Sequence, residues 1–192
     1  MGQEDGLIFN MAQTYKQHLT YGTSRLVEEH GYYIIGQGAR DGGHGMSATI
    51  DQSLKKNCIE LPVFEETQTG IALGMGLSGK NVMSIYPRFD FFISGLSQLI
   101  NHSDKLNVMS HGKFSPNVVF RVGVGAKVPI DGGPQHTNNY TKQLREMLTD
   151  IKVHELSKGT KPLAVFDEVI SSGGIHLIIE HYEYYGDIVC GS

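Results

Sequence analysis

Three groups of residues in this sequence have types that chemistry needs: nine histidines, a set of glycine clusters, and a glutamate pair, Glu65-Glu66, at the mouth of a glycine-rich helix. Metal ligation is the first chemistry to test. Neither HExxH nor Cys-x-x-Cys spacing occurs. His176 and His181 flank an apolar run, and His102 and His111 fall at or just after a predicted helix. Each reads as a surface or hydrogen-bonded structural histidine, and no metal site is expected. Phosphate binding fares no better. GQGARDG (36–42) is not GxGxxG, because its third glycine comes one place late, and no GxxxxGK[ST] is present. A serine hydrolase would need GxSxG, which is also missing.

Glu65 is the residue left with a question attached. It sits where an extended segment containing Pro62 meets EETQTGIALGMGL (65–77). Carboxylates in a first helical turn interact favourably with the helix dipole, which accounts for either glutamate alone. That does not account for a helix stripped of large side chains. Gly70, Ala72, Gly74 and Gly76 suit a helix packed tightly against a second one.

The elements that must position these residues alternate along the chain. Residues 7–29 carry Leu7, Met11, Tyr15, Leu19, Leu26 and Val27 near helical spacing, and Gly31 closes that helix. Tyr32–Ile35 reads as an apolar strand and 49–57 as a short helix. Ile59–Phe64 is extended and kept short by Pro62. A helix over 65–77 is followed by a strand at Val82–Tyr86, a helix at Phe91–Leu106 and a strand at Asn117–Val124. Residues 139–149 read as helical, Lys152–Leu156 as extended, Pro162–Ile170 as helical and Ile175–Ile179 as extended. This alternation predicts an α/β fold with a mainly parallel sheet covered by helices on both faces. The 24 glycines gather at the ends of the apolar runs, in 36–45, 76–80, 123–133 and 171–174. Glycine there lets the chain turn with positive φ and lets a backbone or ligand approach closely. No repeat, low-complexity tract or linker is evident, so 1–192 is expected to be a single domain.

PVFEETQTGIALGMGLSGKNVMSIYPRFDFFISGLSQLIN (62–101) resembles the pyrimidine-binding (Pyr) domain of thiamine-diphosphate enzymes. The likeness is closest to the β subunit of the 2-oxoacid dehydrogenase E1 component, with transketolase a more distant relative. VVFRVGVGAKVPIDGGPQHTNN (118–139) resembles the family segment that runs from Phe-Arg-Gly through glycines to Gln-His-Ser. KVHELSKGTKPLAVFDEVISSGGIHLIIEHYEYY looks like the family's final strand–helix–strand. The resemblance implies that Glu65, four positions before Thr69 of TGIA, is the carboxylate that hydrogen-bonds the N1′ nitrogen of the cofactor's aminopyrimidine. The ring's 4′-imino nitrogen then takes the thiazolium C2 proton; burial of the carboxylic acid would help keep it protonated when needed. Phe91 matches the aromatic that stacks on the ring, with Phe89, Tyr86 and Ser94 beside it as further cofactor contacts; Phe92 reads as core. His136, preceded by the matched Gln135, corresponds to the histidine that approaches the substrate carboxylate or the intermediate derived from it.

Departures from the family pattern matter as much. Gly36-Gln37-Gly38 replaces acidic residues that the family associates with communication between active sites, Ser94 replaces a common glutamine, and Arg88 and Asp90 put a charged pair in the clamp turn. The family's GDG motif for diphosphate and magnesium does not occur; Asp41-Gly42-Gly43 and Asp131-Gly132-Gly133 stand in the wrong context. The diphosphate-binding half of the site is therefore expected on a partner, an α-type subunit in an α2β2-like hetero-oligomer, holding Mg2+ and the diphosphate. The family's C-terminal transketolase-type domain is likewise expected to be missing, since the chain stops at Ser192. The substrate expected is a 2-oxoacid or ketose, with decarboxylation, oxidative with a lipoyl acceptor in the family default, or two-carbon or acyl transfer as the reaction. The alternative is a catalytically silent scaffold or regulatory subunit.

Composition narrows the rest. Sixteen basic against twenty acidic residues give a formal charge of −4, and the basic residues are scattered, so no nucleic-acid partner is expected. No apolar run approaches the ~18 residues of a membrane span. The N-terminus is acidic where a secretory signal is basic, and two cysteines, Cys58 and Cys190, fit a reducing compartment; a cytoplasmic location is the expectation.

Overall fold

The structure, a computed structural model, describes residues 13–128 and 130–189. A short strand β1 (Gln13–Thr14) leads into helix α1 (Tyr15–Glu28), whose N-terminus carries a capping box between Thr14 and Gln17. Strand β2 (Tyr33–Gly36) follows, then two 3-10 turns (Met46–Thr49 and Gln52–Asn57) and β3 (Cys58–Glu60). Helix α2 (Glu65–Leu77) and strand β4 (Val82–Tyr86) come next. A broken helical region begins with α3 (Phe89–Phe92) and ends with α4 (Leu106–Met109). Strand β5 (Val118–Val124), helix α5 (Thr141–Met147), β6 (Lys152–Leu156), α6 (Pro162–Ser172) and β7 (Ile175–His181) complete the main body. A last short strand β8 (Ile188–Val189) pairs antiparallel with β1.

Six strands form one sheet in the order β3-β2-β4-β5-β7-β6, every neighbouring pair parallel. A parallel sheet needs cover on both faces, and alternate strand residues show how it is provided. Ile34, Met83, Ile85, Val119 and Ile178 face a core closed by α1 and α6 through Tyr15, Leu19, Leu26, Phe166 and Val169. Ile35, Val82, Tyr86, Val118, Phe120, Val122, Leu177 and Ile179 face the opposite core with Ala72, Phe92, Leu99 and Leu144. The α/β class with helices on both faces is thus observed.

Several expectations need correction. Of the helix expected over 7–29, residues 7–12 lie outside the described residues, Gln13–Thr14 form strand β1, and the helix itself, α1, begins at Tyr15 after the extended cap residue Thr14. The short helix at 49–57 is a pair of 3-10 turns. The single helix expected over 91–106 is broken into α3, a 3-10 turn (Ile93–Gly95), a π-helical stretch (Gln98–Ser103) and α4. Gly70 and Gly74 were expected to be packed against a second helix. In fact a Cβ at Gly74 would meet nothing, and one at Gly70 would meet only the Gln98 side chain at ordinary contact. Only Gly76 is tightly packed, against Val118 and Pro116 at the foot of β5.

On the α1 side the sheet buries an ion pair. Arg121 Nε donates to Glu180 at 2.6 Å, both side chains being closed to solvent, while its Nη1 and Nη2 donate to Thr23 and Thr49. Tyr185 donates to the other Glu180 oxygen. With each guanidinium nitrogen bonded, this pair ties α1, the first 3-10 turn, β5 and β7 into one register.

Candidate functional site

The chain leaves β2 toward β3 on one side of the sheet and leaves β4 toward β5 on the other, so the order reverses between β2 and β4. Ligands of open α/β sheets bind beyond the carboxyl ends of the strands at such a point. Glu65 enters there after β3, Arg88 and Phe91 after β4, and His136 in the connection after β5.

Glu65 occupies the first turn of α2, half-buried, while Glu66 is exposed. Its backbone is held by a hydrogen-bond chain that runs in one direction. Gln68 Nε2 donates to Ser84 Oγ (2.9 Å), which donates to the Tyr86 hydroxyl (3.0 Å). Thr69 Oγ1 spends its own hydrogen on the Glu65 carbonyl (2.7 Å), so Tyr86 must donate to Thr69 across their 2.8 Å contact. Burial, with the nearby Glu65 charge adding to it, pushes the Tyr86 hydroxyl far above its ordinary pKa and keeps it a donor. The Glu65 carboxylate itself makes no hydrogen bond or ion pair among the described residues, so its backbone is fixed and its side chain is free.

The clamp turn packs directly on this first helical turn. A Cβ at Gly95 would lie 2.5 Å from Thr69 Oγ1 and 3.1 Å from the Glu65 carbonyl oxygen, so glycine is what permits the approach. Phe91, one turn earlier, keeps 42% of its surface exposed and sets its ring edge-on to His136 at 5.3 Å. Ser94 is exposed, and its hydroxyl donates to the Phe91 carbonyl (2.8 Å), which ties it to its own turn. Tyr86 and Phe89 do not line the surface as expected: each is 1% exposed. Tyr86 packs on Phe92, and Phe89 on Phe92 and Tyr140, so both support the turn from behind. Phe92 is core, as read from the sequence.

His136 is seated by glycines. A Cβ at Gly125 would collide with the His136 carbonyl, and one at Gly132 would stand 2.8 Å from its Cβ. Gln135 is exposed. Asn138 anchors the same loop by donating through Nδ2 to Asp90 and to the Pro134 carbonyl, each at 2.5 Å. The two charged residues of the clamp turn, Arg88 and Asp90, take separate partners, Asp90 being engaged with Asn138. Arg88 instead lies over the Tyr182 ring at 4.9 Å and donates through Nη1 to the Pro87 carbonyl. Asn138 and Tyr182 were not legible as site residues, since neither has a type or spacing that marks chemistry.

The first glycine loop is occupied by the protein itself. Backbone N–H groups of Gly38, Arg40 and Asp41 converge on the Glu60 carboxylate. A loop of this shape is an anion nest whose donors are already spent. Of the histidines set aside above, His176 is buried and bonded to His154, the Gly173 carbonyl and Ser172, and His181 contacts Glu155. No group of three or more His, Cys, Asp or Glu side chains able to hold a metal ion occurs among the described residues. No helix among them is long and apolar enough to cross a membrane.

Comparison with known proteins gives the geometry a context. No family model matches the chain. It is 32% identical over 113 residues to the pyruvate dehydrogenase E1 component subunit beta-2, mitochondrial, of Oryza sativa subsp. japonica, covering 59% of this chain and 28% of that protein. It is 27% identical over 92 residues to the mitochondrial pyruvate dehydrogenase E1 component subunit beta of Saccharomyces cerevisiae, and 28% identical over 92 residues to the pyruvate dehydrogenase E1 component subunit beta of Rickettsia conorii. These matches take in only 25–28% of the relatives' own length. Among solved structures, a split-gene transketolase described as an inactive beta4 tetramer superposes with a TM-score of 0.65 at 14% identity, over 89% of this chain and 51% of that one. Transketolase from Leishmania mexicana superposes with a TM-score of 0.63 at 16% identity, over 89% of this chain and 25% of that one. The resemblance to the Pyr domain of thiamine-diphosphate enzymes is borne out by the E1 β relatives and by the shared transketolase-like fold.

Proposed function

We propose that this chain, similar to E1 β subunits and folded like transketolase, is the β-type subunit of a split thiamine-diphosphate enzyme acting on a 2-oxoacid or ketose. The observation that carries the reading is the uncommitted Glu65 carboxylate, on a backbone locked by the Gln68–Ser84–Tyr86–Thr69 chain and packed against the turn that presents Phe91. These groups suit an aminopyrimidine: a free carboxyl to hold a proton at a ring nitrogen, and an exposed aromatic ring to lie against. Bound thiamine diphosphate would supply a thiazolium carbon that becomes nucleophilic on losing its proton to the cofactor's own aminopyrimidine.

Glu65 would hold a proton against the N1′ nitrogen of the bound ring, and the first turn of α2 keeps its backbone in place. Phe91 excludes water from one side of the ring, and His136, set edge-on against Phe91, faces substrate charge. Nothing on the chain supplies a GDG motif, so the diphosphate and Mg2+ are assigned to an α-type partner. Uncovered apolar surface beside the site supports a partner there: Phe91, Ile93 and Val63 are all exposed. The β4 tetramer of the split transketolase is described as inactive, and by the same reasoning this chain is inactive until partnered.

The test is Glu65→Gln in the assembled complex, with assembly checked by gel filtration. Turnover of a 2-oxoacid or ketose should be lost while assembly survives. Unchanged turnover would contradict the enzyme reading and leave a silent scaffold.

A further inference from the structure

Arg88 stands at the mouth of the site with an unanswered positive charge. Its Nη1 donates to the Pro87 carbonyl at 2.8 Å, and its guanidinium carbon lies over the Tyr182 ring, 4.9 Å from the centroid. The Tyr182 hydroxyl donates to the same Pro87 carbonyl, so ring and turn are fixed to one another. The one acidic neighbour in the clamp turn, Asp90, is occupied by Asn138. Arg88 Nε is buried and has no hydrogen-bond partner among the described residues, and Nη2 donates to none of them. A buried donor left unmatched destabilises the fold, so such a group marks a place where an acceptor is missing.

A second unmatched atom lies nearby. His136 Nδ1 is also buried and without a partner. Both residues border Gly125: an ideal Cβ there would be 3.5 Å from Arg88 Nε and would collide with the His136 carbonyl. Nε and Nη2 form the side-on fork of a guanidinium, the edge that meets two oxygens of one anion. The face of the fork is already held by Tyr182, so little side-chain freedom remains to be lost on binding.

We propose that Arg88 is a specificity-determining residue that binds an oxyanion of the substrate through Nε and Nη2, with His136 beside it. This rests on the function proposed above and deepens it, because it assigns the site to anionic donors and disfavours neutral ones. A 2-oxoacid carboxylate and a sugar phosphate share the required chemistry.

The full-length chain, labelled with 15N, is titrated with pyruvate, with inorganic phosphate and with chloride at matched ionic strength, while the Arg88 Nε–H resonance is followed by NMR. Both donors belong to this chain, so the measurement needs neither cofactor nor turnover. A saturable shift with pyruvate assigns a 2-oxoacid carboxylate; a shift with phosphate alone assigns a phosphorylated substrate. Arg88→Lys, which keeps the charge and loses the fork, should weaken the effective anion about tenfold or more. No shift with either anion, or a response no different from that to chloride, overturns the proposal. Anion binding in a chain whose Glu65→Gln complex turns over normally would leave this site standing while the thiamine reading falls.

Discussion

At the scale of single residues, the division between what the chain reveals and what it hides follows a physical line. Glu65, Phe91 and His136 are marked by motif, and the structure gathers them at the carboxyl ends of the strands. Tyr86 and Phe89 have the same aromatic character as Phe91, yet both are sealed, because which way a ring points depends on the pleat of β4 and on the short α3 turn. Arg88 and Asp90 are legible as charges in the clamp turn, but only the loop from β5 shows that Asn138 takes the Asp90 carboxylate. The His154–His176 contact (Nε2 to Nδ1, 3.0 Å) was hidden for a related reason, since it joins two strands. Burial lowers both from the ordinary value of 6.5, with Lys152 adding to the shift on each, Arg145 on His154, and Glu168 opposing it. A histidine kept neutral in the fold binds fewer protons than its unfolded counterpart below 6.5. Its contribution is therefore fully present above that pH and is lost as pH falls toward the depressed folded value. Urea midpoints measured from pH 7.5 to 5 should fall, and a His154→Gln, His176→Asn double variant should fall less steeply; parallel curves would contradict this.

Among the elements, the strands of the sheet were the most legible, since β4 and β6 are short apolar or alternating runs with turn residues at both ends. The helical region after β4 was the least. Its residues keep apolar spacing throughout, but two tertiary demands break the ladder. Gly95 must abut Thr69 and Glu65, which gives a 3-10 turn, and Asp104 must reach the backbone N–H groups of Thr149, Asp150 and Ile151, beyond a π-helical stretch. Periodicity carries no information about such contacts. The consequence for function is that the distance between α2 and the Phe91 turn is set by a missing side chain. Gly95→Ala should push the turn off α2, costing about 1–3 kcal/mol of stability as an overpacked contact does. It should also weaken cofactor retention by the assembled complex. Equal cofactor affinity in wild type and variant, measured by calorimetry, would show that this spacing does not position the site.

As a whole molecule, the chain presents the candidate site on an incompletely covered edge. A Cβ at Gly74 of α2 would meet nothing, and Phe91, Ile93 and Val63 stand open near Glu65. The sheet beneath is by contrast tied internally, Arg121 bonding Glu180, Thr23 and Thr49. A rigid interior under an apolar, uncommitted rim is what an assembly that shares a cofactor requires of each member. The most direct measurement is native mass spectrometry of this protein isolated from its own source in the presence of magnesium and thiamine diphosphate. The account predicts a hetero-oligomer with a second polypeptide and bound cofactor, and loss of that cofactor in Glu65→Gln. A lone chain that carries no cofactor at saturating thiamine diphosphate would contradict it.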